Sequence, residues 1–339
     1  MCQASHCTVD AEPFRIGQSE RPFPMRPIDK ANTSTDCPHP ARRSLAAQTW
    51  ARLCKRKAAL LGLFVIVTMS LAFVFGPMVW SVSPLETDLG MGATAPSLAH
   101  PFGTDEVGRD LLARSMQGGR VSLALGVMAT FVSLLIGIAW GAVSAYAGGK
   151  TDAVMMRIVD ILYALPFTLF VILLMTVMPR HTWVDDSKLL ASLGLTTDIF
   201  IMFVAIGSVE WLTMARIVRA QVLSAKKREY VEAARCLGYG PVYIIFRHIV
   251  PNVIGPVIVY ATLTIPSVIL LESFISFLGL GVRPPNASWG TLIRDGAANM
   301  AVQPWALIVP ALLFSGTLLC FNFLGDGLRD ALDPRSDNN

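Results

Sequence analysis

Residues 253–280 read VIGPVIVYATLTIPSVILLESFISFLGL, and charge occurs in them once, at Glu272. A helix of about 20 apolar residues crosses the hydrocarbon core of a bilayer, and this run exceeds that length. Five further runs share its character. They are 58–82; 121–147, without charge; 154–178, with Arg157 and Asp160 near its start; 189–215, interrupted by Asp198 and Glu210; and 301–325, without charge. Six such runs predict an all-α membrane protein with six transmembrane helices. Composition agrees. The chain is 53% hydrophobic and 15% charged, where soluble domains carry roughly 25% charged residues.

Lys and Arg set the orientation, because cytoplasmic loops are enriched in them. Arg52, Lys55, Arg56 and Lys57 precede the first run. Arg216, Arg219, Lys226, Lys227, Arg228, Arg235 and Arg247 crowd the connection 216–252 between the fourth and fifth runs. Segment 83–120 is more acidic and falls on the opposite, periplasmic side. Both termini are therefore expected in the cytoplasm. Residues 1–57 read as a disordered arm with a basic end, rich in Pro, Ser and Thr as far as residue 48; 121–330 read as the transmembrane core, and 331–339 as a short tail. The first apolar run begins too far into the chain for a cleaved leader. Small net charge, +4, and its clustering at membrane boundaries argue against nucleic-acid binding.

Connection 216–252 is too long for a simple turn and has helical patterning. Leu223, Tyr230, Ala234 and Leu237 are expected on one face. Gly238 stands where a left-handed cap is wanted, and Pro241 opens a second short helix. Val242, Ile245, Phe246 and Ile249 form its expected apolar stripe, and Pro251 is expected to end it. A helix, glycine turn and helix on the cytoplasmic face suits docking of a cytoplasmic partner. It equally suits an amphipathic helix lying on lipid.

This segment contains Glu232-Ala233-Ala234, three residues, Gly238, nine residues, then His248-Ile249-Val250-Pro251. It resembles the EAA loop of ATP-binding-cassette (ABC) importer permeases, with His248 where the general pattern has Ile and Val250 where it has Leu. "RHIVPN" (247–252) is similar to the dipeptide/oligopeptide/nickel branch. Ordered matches continue with HPFGTDEVGRDLLAR (100–114), GGKTDAVMMR (148–157), ARIVRAQVLS (215–224), ESFISFLGLG (272–281), SWGTLIRDGA (288–297) and CFNFLGDGLRDALDPR (320–335). The last three resemble C-type permease subunits of oligopeptide importers more than their dipeptide or nickel relatives.

The resemblance implies the type I ABC importer permease fold. It also implies a heterodimer with a B-type permease subunit, two cytoplasmic ABC ATPase subunits, an external peptide-binding protein and an inner-membrane location. Glu232, Ala233, Ala234, Gly238, Pro241, Arg247, His248 and Pro251 would then couple the permease to the ATPases. Within the same family, dipeptides, nickel or another small solute are alternative cargoes. A rival of another class is an ion-coupled secondary carrier in which Asp160 and Glu272 relay protons. The long docking loop and the lack of a visible inverted repeat speak against that rival.

Other features carry less. Ser144–Thr151 ends like a phosphate-binding loop, but its first glycine is missing and an apolar run, not a strand, precedes it. Gly148-Gly149 is expected to be a helix-ending turn, with Lys150 anchoring it. Cys2, Cys7, Cys37, Cys54, Cys236 and Cys320 show no metal-ligand spacing, so no cofactor is expected. No nucleophile–base pair is visible, so no catalysis is expected either. Asp160 and Glu210 are expected near cytoplasmic helix ends, paired with Arg157 or Arg216. Glu272 is a candidate pathway residue, or a hydrogen-bond partner for a kinked neighbour near Pro266.

Overall fold

The computed structural model describes residues 45–177 and 196–332. The arm 1–44, segment 178–195 and the tail from 333 lie outside them, as does the start of the fourth expected run. Ten helices form the described chain: α1 (Leu45–Leu53), α2 (Lys57–Val79), α3 (Leu111–Ala147), α4 (Gly149–Ala164), α5 (Phe167–Val177), α6 (Thr197–Ala225), α7 (Glu229–Cys236), α8 (Pro241–Phe277), α9 (Trp289–Ala298) and α10 (Pro304–Leu332). Five are long and apolar enough to span a membrane: α2, α3, α6, α8 and α10. The α4–α5 pair makes a sixth if counted as one broken span.

Among the differences from the sequence reading, α6 runs on to Ala225 rather than ending near residue 215, and three others bear on the architecture. α3 starts at Leu111 rather than at residue 121, because Asp110 caps it by accepting a hydrogen bond from the Ala113 N–H at 2.8 Å. The third run is not one straight helix. α4 and α5 meet at 78°, because Pro166 excludes its predecessor from the helical region, and Leu165 is extended at φ −71°, ψ 132°. Pro251 does not end the second helix of the loop. That helix runs on into the fifth span as α8, through a π-wound stretch, Ile244–Ile249, that ends one residue short of the proline. The wider turn relieves the clash a proline ring makes with the carbonyl four residues back. Asn252 donates a side-chain hydrogen bond to the His248 carbonyl there.

Backbone groups freed inside a membrane need replacement partners. Pro77 in α2 cannot donate to the Phe73 carbonyl, and Arg120 of α3 does so instead, through Nε and Nη2 at 3.3 and 3.2 Å. Small residues set the helix spacing. At Gly141 of α3 an added Cβ would lie 2.5 Å from the Ala215 carbonyl oxygen of α6, so only glycine lets these two backbones approach so closely. Four apolar clusters fill the described bundle, the smallest made by Leu53, Ala59 and Ala331. One, at the loop end, joins α3, α6, α7 and α8. A second joins α3, α5, α6 and α8, and a third surrounds Trp289, Phe73 and Ile269.

Between α2 and α3 the chain forms a compact cap. Asp105 accepts hydrogen bonds from Arg109 at 2.8 Å, Arg114 at 2.6 Å, and the Val107 and Arg109 N–H groups. His100 Nδ1 pairs with Asp110 at 2.8 Å, and Trp305 of α10 donates to the Thr104 carbonyl.

Candidate coupling surface and membrane-embedded acids

α7 ends in a glycine cap whose hydrogen bonds define its geometry. The Tyr239 N–H donates to the Ala234 carbonyl at 3.3 Å, and the Gly238 N–H to the Arg235 carbonyl at 2.9 Å. This is the Schellman pairing, with Gly238 at φ +80°. Pro241 opens α8 at its first helical position, as expected. Val231 and Ala234 of α7, and Ile244, Ile245 and Ile249 of α8, are buried against Ala142, Ala145, Val218 and Val222 of α3 and α6. They root the hairpin in the bundle.

The remainder of the hairpin faces out. Glu232, Ala233, Pro241 and Arg247 are exposed. So are Leu237 (74%), Val242 (67%) and Phe246 (60%). Val242, Ile245, Phe246 and Ile249 were expected on one apolar stripe; Ile245 and Ile249 are buried whereas Val242 and Phe246 are exposed. The π-wound turn advances each residue by a smaller angle than an α-helix does, which rotates the pattern. The stripe expected from Leu223 to Leu237 fails as well, because α6 stops at Ala225 and α7 starts a separate helix at Glu229. Of its four residues only Ala234 is buried. His248 packs against two aromatic rings of the hairpin, its ring centroid 5.7 Å from that of Tyr243 and 6.1 Å from that of Tyr239, and its Nε2 has no hydrogen-bond partner among the described residues.

Polar contacts brace the base of this surface. Arg219 of α6 donates two hydrogen bonds to Asp152 of α4, both at 2.6 Å, and Ser144 donates a third. Lys226 Nζ donates to the Ala145 and Tyr146 carbonyls at the end of α3. Gly148 and Gly149 form the α3–α4 turn, both at positive φ. The turn joins two helices, which is not the strand-to-helix setting of a phosphate-binding loop.

The three acids noted in the sequence have different fates. Asp160 pairs with Arg216 at 2.8 Å, as expected. Glu272 is fully buried and accepts hydrogen bonds from Ser122 of α3 (2.8 Å), Ser276 (2.8 Å) and Ser273 (3.2 Å). It clamps α3 to α8 and does not bond a neighbour at Pro266. Glu210 lies at the middle of α6, not near its end, and has neither Arg157 nor Arg216 as partner. It borders a cavity of about 290 Å³ at the α4–α5 bend. The cap ion pairs of Asp105 were missed, although an acid four residues before Arg109 is a readable helix-type pairing signal; Arg114 lies farther along, across the turn.

The described chain is an all-helical bundle of five to six membrane-length helices with an apolar hairpin exposed beside it, an architecture that fits a membrane permease. Its relatives agree. The chain belongs to the family of inner membrane components of binding-protein-dependent transport systems, which matches residues 133–338. The N-terminal transmembrane domain of oligopeptide transport permease C matches residues 44–101. The chain is 47% identical over 295 residues to the oligopeptide transport system permease protein OppC of Haemophilus influenzae, covering 86% of this chain and 89% of that one. It is 48% identical over 295 residues to the protein of that name from Escherichia coli (strain K12), covering 86% and 92%. It is 43% identical over 293 residues to the dipeptide transport system permease protein DppC of Bacillus subtilis, covering 86% of each.

Proposed function

We propose that this chain is a pore-forming subunit of an ATP-driven importer that moves oligopeptides across the inner membrane. It carries no catalytic site and no cofactor; ATP is hydrolysed on partner chains. The observation that carries the reading is the exposed hairpin. Leu237, Val242 and Phe246 point outward while Val231, Ala234 and Ile249 tie the same segment into α3 and α6. Exposed apolar patches of this kind mark interaction sites, and this one is stiffly linked to membrane helices. Movement of an ATPase bound there would be passed to the bundle. Glu232, Ala233, Gly238, Pro241, Arg247, His248 and Pro251 belong to this coupling element, with Ala234 as its inward anchor.

The complete importer comprises this chain, a B-type permease, two ABC ATPase subunits and an external peptide-binding protein. Both termini lie in the cytoplasm, on the side of the basic segment 216–252. The reading is tested by reconstituting the five-component assembly in vesicles. Uptake of a labelled oligopeptide should require ATP, the binding protein and this chain together; uptake without ATP would sink it. Orientation has its own check. A periplasm-dependent reporter should be active after Gly92 and silent after Lys227; the reverse pattern would invert the topology.

A further inference from the structure

The bend between α4 and α5 opens a cavity against the middle of α6. Its walls include the rings of Tyr163, Phe167 and Phe170, and Ser208, Glu210 and Thr213 of α6. Glu210 has no hydrogen bond or ion pair to any described residue. The contrast with the other embedded acids is informative. Glu272 takes three serine hydroxyls, Asp152 takes Arg219, and Asp160 takes Arg216. Arg216, the nearest cation along α6, is thus committed, and it also lies 4.3 Å over the Tyr163 ring. A carboxylate among apolar side chains at membrane depth is costly without a partner. Among the described residues the fold provides partners for Glu272, Asp152 and Asp160 and gives none to Glu210, which faces a cavity.

The complement of that cavity is a cation of modest size. Aromatic faces attract ammonium groups. Ser208 spends its proton on the Ala205 carbonyl, which leaves its oxygen lone pairs free to accept. The volume, about 290 Å³, is at the lower end of ligand sites, roughly 300–1,000 Å³. It has room for one terminal residue and not for a whole peptide. We infer that this cavity receives the α-ammonium end of a peptide in transit, with Glu210 as counter-ion and the three rings as walls. The inference rests on the peptide-import reading. An α-ammonium is shared by all unblocked peptides whatever their side chains, so a carboxylate that meets it imposes no sequence preference. A single ion contact also lets go quickly, since affinity differences appear mainly in release rates.

The test uses the whole transporter in vesicles and two photoprobes, 4-azidophenethylamine and its neutral alcohol. The amine should label residues of α4, α5 and α6 about tenfold more than the alcohol, and Glu210→Gln should abolish the excess, an ion contact of about 1.4 kcal/mol being worth a factor of ten. At matched membrane level, the same variant should import an unblocked peptide about tenfold more slowly. Absence of excess labelling in the unsubstituted transporter, as when a basic side chain of the partner permease already holds Glu210, overturns the inference. So does normal uptake by a Glu210→Gln variant that has lost labelling. If that variant does not assemble, Phe170→Leu keeps the charge and should weaken amine labelling several-fold; unchanged labelling again overturns it. A transporter that binds the amine but imports no peptide would sink the import reading and leave the cation site standing.

Discussion

Gly238→Val is expected to abolish coupled peptide uptake while the protein still inserts at normal levels. Gly238 holds φ +80°, where a β-branched residue is a severe outlier. The left-handed region costs an L-residue roughly 1–2 kcal/mol. No atom lies within 4 Å of the Cβ that would be added, so the effect is conformational and not a clash. The strain concentrates in the two cap hydrogen bonds that set the angle between α7 and α8. Relaxing them changes the shape of the surface that carries Leu237 and Val242. The spans do not depend on those bonds, so membrane levels should hold. Uptake should fall by about tenfold or more, 1.4 kcal/mol being a factor of ten, and ATP hydrolysis should stop responding to the binding protein. Gly238→Asn should keep most activity, because asparagine tolerates this conformation. Normal uptake by the valine variant would remove the hairpin from the coupling mechanism.

Asp105→Ala is expected to be the most destabilising single change in the cap. Arg114 is nearly enclosed, its side chain 5% exposed, and its close partner is Asp105 at 2.6 Å. The next, Asp295, is 3.7 Å away and itself 42% exposed. Removing Asp105 leaves a buried guanidinium poorly compensated, which costs about 3–5 kcal/mol. It also deprives the Val107 and Arg109 N–H groups of their acceptor. The melting midpoint of the detergent-solubilised protein should drop markedly. Asp105→Asn should cost less, because it retains an acceptor. Adding Arg114→Leu to Asp105→Ala should recover part of the loss, because the charge left unpaired is removed as well. If the double variant were no more stable than the single one, the cost would lie elsewhere in the cap.

Much of the hairpin was legible because its signals are local. Gly238 and Pro241 bracket the turn through their own backbone preferences, and the structure has both where the sequence reading put them. Its faces were misread. The helical period assumed for Val242 to Ile249 does not hold through a π-wound turn, and that turn is a response to Pro251. A proline taken as a stop is thus built into a continuous helix, because the backbone before it widened. The broken third span has the opposite lesson. Pro166 places the break, but the 78° angle and the cavity it opens depend on how α5 packs against α6.

The sequence by itself determined that this chain lives in a membrane, roughly where it crosses, which side is basic, and that a helix–turn–helix protrudes there. Those properties follow from composition, run length and single-residue backbone preferences, which act over a few positions. Tertiary structure alone decided the fate of each polar side chain in the spans. Ser122 meets Glu272 from 150 positions away, Arg219 reaches Asp152 across 67, and Glu210 has no hydrogen bond or ion pair to any described residue. Helix faces are brought together by close packing of small residues such as Gly141 against Ala215. That packing fixes rotation and depth, and no local periodicity records which acid will find a partner.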